Sequence, residues 1–264
     1  MPKRPTLSPS KITTYLACPV KYYWTYVNPK GKWYVRSKSV FSFGLSLHEV
    51  LQRFHDTGDR GVTTTEEAVA ALEESWIEAG YGSQDEMMQS LAEGKAIVEA
   101  HVERALREPT TANTIAVEKL VRRELGFFDL IGRIDRIDEH PDGRIEIIDY
   151  KSGRESVSVE DIRNDLAMGC YQLILQGEYP DREISATIIA LRSGQRASYS
   201  MVAAELSEFR FLIEQIGQEV LGREWEEFTP VAKERICGHC DFLNLCRQVE
   251  GFELDLEAGN DQDA

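Results

Sequence analysis

The stretch that most limits how this chain can fold runs from Thr114 to Lys151, where apolar residues stop recurring at helical spacing and take up strand patterns. Segments 114–127, 129–139 and 144–150 read as three successive strands, with Pro141-Asp142-Gly143 as the turn between the last two. Connections this short make neighbouring strands antiparallel, and a meander of three strands must be covered by other elements. The flanking sequence supplies them. Residues 9–27 read as a helix capped by Ser8 or Ser10, 44–55 as a second, and Thr64-x-x-Glu67 as a capping box opening a third that ends near Gly80. Residues 85–107 keep helical spacing up to Pro109. After the meander, Ser158 caps a helix to about Gly177, 184–192 and 195–202 pair around Ser193-Gly194, and 205–221 is helical. This order predicts an α/β chain with a mixed central sheet flanked by helices.

The meander also carries charge where a buried strand should have none. In Ile147-Ile148-Asp149-Tyr150-Lys151, alternation puts Asp149 and Lys151 on one side and Tyr150 on the other, and the hairpin can bring Asp135 beside them. Two carboxylates and an ammonium in one pocket suit Mg²⁺, with the lysine orienting or helping to deprotonate a water. The plain alternative is a solvated surface hairpin, and the two isoleucines directly before Asp149 weigh against it.

Three of the five cysteines, Cys237, Cys240 and Cys246, form CxxC followed by a third six residues on, Cys18 stands far upstream, and Cys170 sits in an apolar helical stretch as a core residue. No apolar run approaches the roughly 18 residues that span a bilayer, and Met1-Pro-Lys-Arg does not lead into a signal core, so a cytoplasmic chain without disulfides is expected. Four thiolates satisfy zinc or an iron-sulfur cluster, and zinc sites more often use two short CxxC pairs. The net charge of −15 disfavours nucleic acid, but its distribution reverses that reading. Residues 1–48 carry Lys3, Arg4, Lys11, Lys21, Lys30, Lys32, Arg36 and Lys38 without one acid, interleaved with nine of the 24 aromatics. Such a segment can stack on unpaired bases and follow phosphates, or its Tyr22, Tyr23 and Trp24 can pack around Cys18. Residues 248–264 form an acidic tail.

Taken together, Asp135, Asp149-x-Lys151, Gly44-Leu-Ser-Leu-His48-Glu-Val-Leu51, the opening Leu7-Ser-Pro-Ser-Lys-Ile-Thr-Thr-Tyr-Leu-Ala-Cys18-Pro and the terminal CxxCx5C resemble the PD-(D/E)XK nucleases. The branch they resemble is the RecB-like one with a C-terminal iron-sulfur motif, found in AddB-type and CRISPR-associated exonucleases. The resemblance implies a restriction-endonuclease-like core at 113–230. It also implies an N-terminal helical part at 1–112 and an iron-sulfur segment at 231–247 that clasps Cys18 to Cys237, Cys240 and Cys246 around a 4Fe-4S cluster. It implies Mg²⁺ or Mn²⁺ on His48, Asp135, Asp149 and the Tyr150 carbonyl, with Lys151 catalytic, and exonuclease action on DNA ends or single strands. Glu118 matches a family glutamate or is a solvated strand residue. Lys30, Lys32, Arg36, Lys38 and Tyr171 are further candidate substrate contacts. Relatives carry Gln-x-x-x-Tyr where this chain has Ala167 and Tyr171, and Gln172, about 100° round the helix, cannot stand in for the glutamine. That departure leaves room for a DNA-end-binding module without turnover. No GxxxxGK loop is present, so any unwinding falls to a partner, a helicase or the CRISPR adaptation proteins by the same resemblance.

Overall fold

The computed structural model describes residues 4–56, 58, 61–225 and 230–253, the side chain of Glu234 excepted; most of the acidic tail lies outside the described residues. Strand β1 (Thr6–Leu7) leads into helices α1 (Pro9–Ala17) and α2 (Pro19–Tyr22), a π-helical turn (Tyr23–Val27) and a 3-10 turn (Pro29–Trp33). Helices α3 (Ser39–His55), α4 (Thr65–Glu74) and α5 (Gln84–Arg107) precede the meander β2 (Asn113–Leu125), β3 (Phe128–Glu139) and β4 (Ile145–Lys151). Then come α6 (Val159–Arg163), α7 (Leu166–Glu178), β5 (Ile184–Ala190), β6 (Arg196–Tyr199), α8 (Ala203–Gly222), α9 (Glu234–Cys237) and α10 (Leu243–Cys246).

The expected elements form, although α3 starts at Ser39 rather than Gly44 and α4 ends at Glu74, short of Gly80; three further differences are explained locally. The helix expected over 9–27 breaks at Cys18, which is extended, because Pro19 has no N–H to continue the first helix and instead starts the next. The helix expected from Ser158 to Gly177 breaks before Asp165, whose Oδ1 takes the N–H groups of Ala167 and Met168 and starts α7. Strand β1 is too short for any periodicity to reveal it; it pairs in parallel with Asp129 and Leu130. The expected capping box of Thr64 with Glu67 is present, and Ser158 caps α6 in a second one with Asp161. Among the described residues no helix is long and apolar enough to cross a membrane.

Two compact units divide the chain, residues 1–9 with 37–214 and residues 10–36 with 215–264. The boundary expected at 112 does not separate them. Phe43, Leu47, Val50 and Leu51 of α3, with Leu72 of α4 and Val98 and Val102 of α5, share one buried core with Ile148 and Tyr150 of β4, so these helices belong with the sheet. The sheet runs β1-β3-β4-β5-β6, with β2 along the other edge of β3. β4 and β5 are parallel, joined through α6 and α7, and the other main pairs are antiparallel. A Cβ on Gly169 of α7 would lie 2.7 Å from the Phe209 ring of α8, which measures how closely those two helices pack.

The sheet has an irregularity in its strand pairing. On its inner edge β3 is bonded by β4 at residues 136–139 and by β1 at 129–130, and pairing lapses between them. β4 continues past the lapse on β5 alone, through Asp149, Tyr150 and Lys151.

The second unit is held by aromatic rings. Trp225 stacks on Tyr22 at 5.5 Å and Tyr23 at 5.7 Å and meets Tyr15 edge-on at 6.3 Å. The Tyr15 hydroxyl donates to Glu219 and accepts from Arg223. Tyr22 and Tyr23 thus pack about Trp225, whereas Trp33 stays 78% exposed.

Gly80, beyond the end of α4, has φ +94, and a Cβ there would come within 2.8 Å of three backbone atoms of Lys38 and Ser39 at the start of α3. Gly80→Ala therefore meets both a left-handed backbone and a backbone clash, and should lower stability by about 2 kcal/mol or more, read as a shift of the urea midpoint at unchanged slope.

Candidate functional site

The lapse between β3 and β4 is where the sequence-predicted acids meet. By register Asp135 and Asp149 stand opposite each other just beyond the last β3–β4 pair, Arg136 with Ile148. With no strand partner on that side, the Tyr150 N–H donates to Asp135 Oδ2 at 2.9 Å and the Tyr150 carbonyl lies 3.0 Å from His48 Nε2. The carbonyl expected to face a metal thus orients a histidine, with one lone pair left over. In the tautomer where Nε2 donates, His48 presents unprotonated Nδ1, 3.4 Å from Asp135 Oδ2 and 4.0 Å from Glu118 Oε1.

His48, Glu118 and Asp135 bring one potential ligand atom each within 4.8 Å of one another, and they are the trio among the described residues that does so. This changes the expected set in two ways. Glu118, left open between a family glutamate and a solvated residue, is half-buried at the centre of the site. Asp149, expected in the same shell, lies beside that trio and pairs with Lys151, Nζ to Oδ2 at 2.8 Å. Glu118 reaches its place through an uncommon backbone. Its φ is +46, the single left-handed non-glycine value among the described residues, and it falls between Val117 and Lys119, whose partners Arg136 and Ile134 bracket Asp135.

Electrostatically the pocket is short of positive charge. Burial raises the Asp149 carboxyl to about 6, helped by Asp135 and opposed by Lys151. Burial and then Asp135 raise Glu118, against His48 and Arg133. Burial opposes charge on His48, yet the hydrogen bond and charge of Asp135, then Asp149 and the Tyr150 carbonyl, carry it to about 9. Lys151 is likewise raised although burial opposes it, because Asp149 and then Asp165 and Asp135 surround it. Oxygen donors with one imidazole suit a hard divalent cation. Asp149 adds a further carboxylate beside them, its Oδ2 held by Lys151 Nζ at 2.8 Å. The donor set therefore fits a divalent metal.

Tyr171 faces this pocket from α7, and its ring packs on Gly132 of β3, where a Cβ would come within 2.5 Å of it. Burial, then Asp149 and Asp135, raise its hydroxyl. Gln172 is buried and used elsewhere, accepting from the Met201 N–H at 2.8 Å, so it does not stand in for the side chain missing at Ala167. Asp165 is the residue the sequence reading missed. Its Asp-x-Ala pattern one residue before α7 is an N-cap signal, and its charge acts on both Asp149 and Lys151.

In the second unit Cys18, Cys237, Cys240 and Cys246 are all free thiols. Burial raises Cys246 to about 11, with Cys240, Cys18 and Cys237 adding to the shift, so the four are neighbours. The Lys233 N–H donates to Cys237 Sγ at 3.3 Å, and Lys233 Nζ reaches the Ala17 carbonyl at 2.7 Å. Cys170 is fully buried in α7. Lys30, Lys32 and Arg36 are exposed, and Lys32 Nζ lies 5.2 Å from the Trp33 ring centre; Lys38 is the N-cap residue of α3.

A sequence profile of the PD-(D/E)XK nuclease superfamily matches residues 6–247. Among solved structures the chain is similar to one described as the crystal structure of SSO0001, with 13% identity and a TM-score of 0.38 over 94% of this chain and 88% of that one. It is also similar to a "Putative exonuclease" from Eubacterium rectale, with 12% identity and a TM-score of 0.36 over 84% of this chain and 96% of that one. No curated protein matches it.

Because Asp165 both caps α7 and adds charge to the pocket, the two contributions separate by substitution. Asp165→Ala should cost about 1 kcal/mol of stability, whereas Asp165→Asn, which keeps the capping oxygen, should cost a few tenths at most in the same urea titration.

Proposed function

The chain belongs to the PD-(D/E)XK nuclease superfamily, and from that membership we propose that it is a Mg²⁺- or Mn²⁺-dependent deoxyribonuclease acting as an exonuclease on DNA ends or single strands. The observation that carries this reading is the convergence of His48, Glu118 and Asp135 within 4.8 Å beside the Asp149–Lys151 pair. Members of the superfamily use divalent metals. Here His48 through Nδ1, Glu118, Asp135 and Asp149 would hold one, and a bound ion supplies Lewis acidity and a water of lowered pKa.

The chain's own residues do the rest. The Tyr150 backbone fixes Asp135 and His48 so that neither reorganises when substrate arrives. Lys151 places an ammonium next to the acids, where a phosphodiester gathers negative charge as it is hydrolysed, and Asp149 holds that ammonium in place. Tyr171 closes the α7 side of the pocket. Lys30, Lys32, Arg36 and Lys38 supply sequence-independent phosphate contacts, and exposed Trp33 a stacking face. Strand separation on duplex DNA falls to a partner, a helicase or the CRISPR adaptation proteins.

For the cysteines we infer a 4Fe-4S cluster of the RecB-like branch. Its support is the ligand spacing, one distant cysteine with a CxxCx5C run where zinc more often takes two short CxxC pairs. The Lys233 N–H donated to Cys237 Sγ is of the kind that tunes such clusters. The cluster joins residues near both ends of the chain, and closing a loop of that length restricts the unfolded state by roughly 5 kcal/mol in the chain-entropy treatment.

Labelled single-stranded DNA with Mn²⁺ tests the catalytic reading. Lys151→Ala and Asp149→Ala should each lower cleavage at least a hundredfold while binding persists, and removing a carboxylate should tighten it slightly. Binding by the wild type without any cleavage would instead favour the DNA-end-binding module that Ala167 allows.

Anaerobically purified protein should be brown, with a broad band near ~400 nm. Cys18→Ala or Cys246→Ala should bleach it and lower the melting temperature. A colourless protein with stoichiometric zinc would overturn the cluster.

A further inference from the structure

We propose that Phe41 and Leu45 of α3 form a base-stacking surface at the mouth of the metal site, which selects unpaired over duplex DNA. The inference rests on reading His48, Glu118, Asp135 and Asp149 as the nuclease centre, and it assigns that centre a substrate-selecting subsite.

The two faces of α3 differ. Phe43, Leu47, Val50 and Leu51 are buried in the core. Phe41 and Leu45 precede His48 by seven and three residues, a spacing that puts all three on one helical stripe. Phe41 is 66% and Leu45 60% exposed. Gly44 lies on the edge of the same stripe, and a Cβ there would sit 3.3 Å from Ser152 Oγ. Ser152 follows Lys151, so the stripe runs alongside the segment that carries the lysine and ends on the histidine. Leu45 is within one helical turn of His48, and Phe41 about 10 Å away along the axis.

Large apolar groups left in water beside a charged pocket call for something that covers them in the working state. A protein seated on this stripe would also close the mouth at His48 and Ser152. A DNA strand would not, because its own phosphate has to enter there. Its bases then lie over α3, and an aromatic ring with an adjacent leucine accepts any base whose face is open, which a paired base does not offer. No acid occurs in residues 1–48, and the first that follows, Glu49, one turn past Leu45, is paired with Arg53 at 3.0 Å.

The test is binding of a fluorescein-labelled 20-nucleotide single strand, its duplex and an abasic strand of the same length, by anisotropy in EDTA, so that nothing is cut. Phe41→Ala should weaken single-strand binding about 5- to 100-fold, the range of one base–aromatic stack. Phe41→Trp should stay within about twofold of wild type, and wild type and Phe41→Ala should bind the abasic strand alike. Unchanged single-strand affinity in Phe41→Ala would overturn the proposal and leave the stripe to a protein partner. Equal losses on single strand, duplex and abasic strand would overturn it too, as damage to the fold. A wild-type chain that binds through Phe41 yet cuts no DNA in Mn²⁺ would refute the nuclease reading and uphold the stacking surface.

Discussion

Where β3 and β4 stop pairing, the N–H and C=O of Tyr150 must find partners elsewhere, since a buried backbone group left unmade costs about 1–3 kcal/mol. They find Asp135 and His48. A gap in a ladder, which would weaken a sheet elsewhere, here becomes the scaffold for two site residues from different elements. The other face of the same residue is anchored as firmly. The Tyr150 ring lies in the core among α3, α4 and α5, stacked on His55 and edge-on to His101. The site is thus positioned by the packing of the sheet against its helices, and any disturbance of that core reaches the acids through one residue's backbone.

How much of this could be read beforehand depends on the range of the interaction that decides it. Asp149, Lys151 and the opposed side of Tyr150 follow from strand alternation, which is a local rule, and Asp135 follows from a hairpin with a tight turn. His48 was legible through its surrounding motif only, because its partners come from strands about a hundred residues away. Glu118 stayed ambiguous for a physical reason: alternation assumes extended backbone, and this residue has φ +46. The breaks at Cys18 and Asp165 had local signals, a following proline and an N-cap, that helical periodicity on either side obscured. The grouping of α3 to α5 with the sheet depends on packing alone, and no composition shift marks it.

The second unit is assembled on a different principle. Its described residues carry few long elements, and its order rests on ring stacking about Trp225, the Tyr15 to Glu219 and Arg223 contacts and the lysine that ties Ala17 to the cysteine segment. Such contacts join distant parts of the chain without the help of a continuous sheet. The sequence separation of the four cysteines and the short helices α9 and α10 around them are of one kind with this.

The backbone at Glu118 has a further consequence. A left-handed conformation disfavours a side chain by about 1–2 kcal/mol, and glycine would adopt it without that penalty. The chain places there a residue ill-suited to the conformation but able to bring a carboxylate to His48 and Asp135. Selection for thermostability alone would favour glycine at 118 and discard the carboxylate. This position is therefore one where robustness and activity pull in opposite directions, and a stabilised descendant of this protein that kept its activity would have to gain its stability elsewhere.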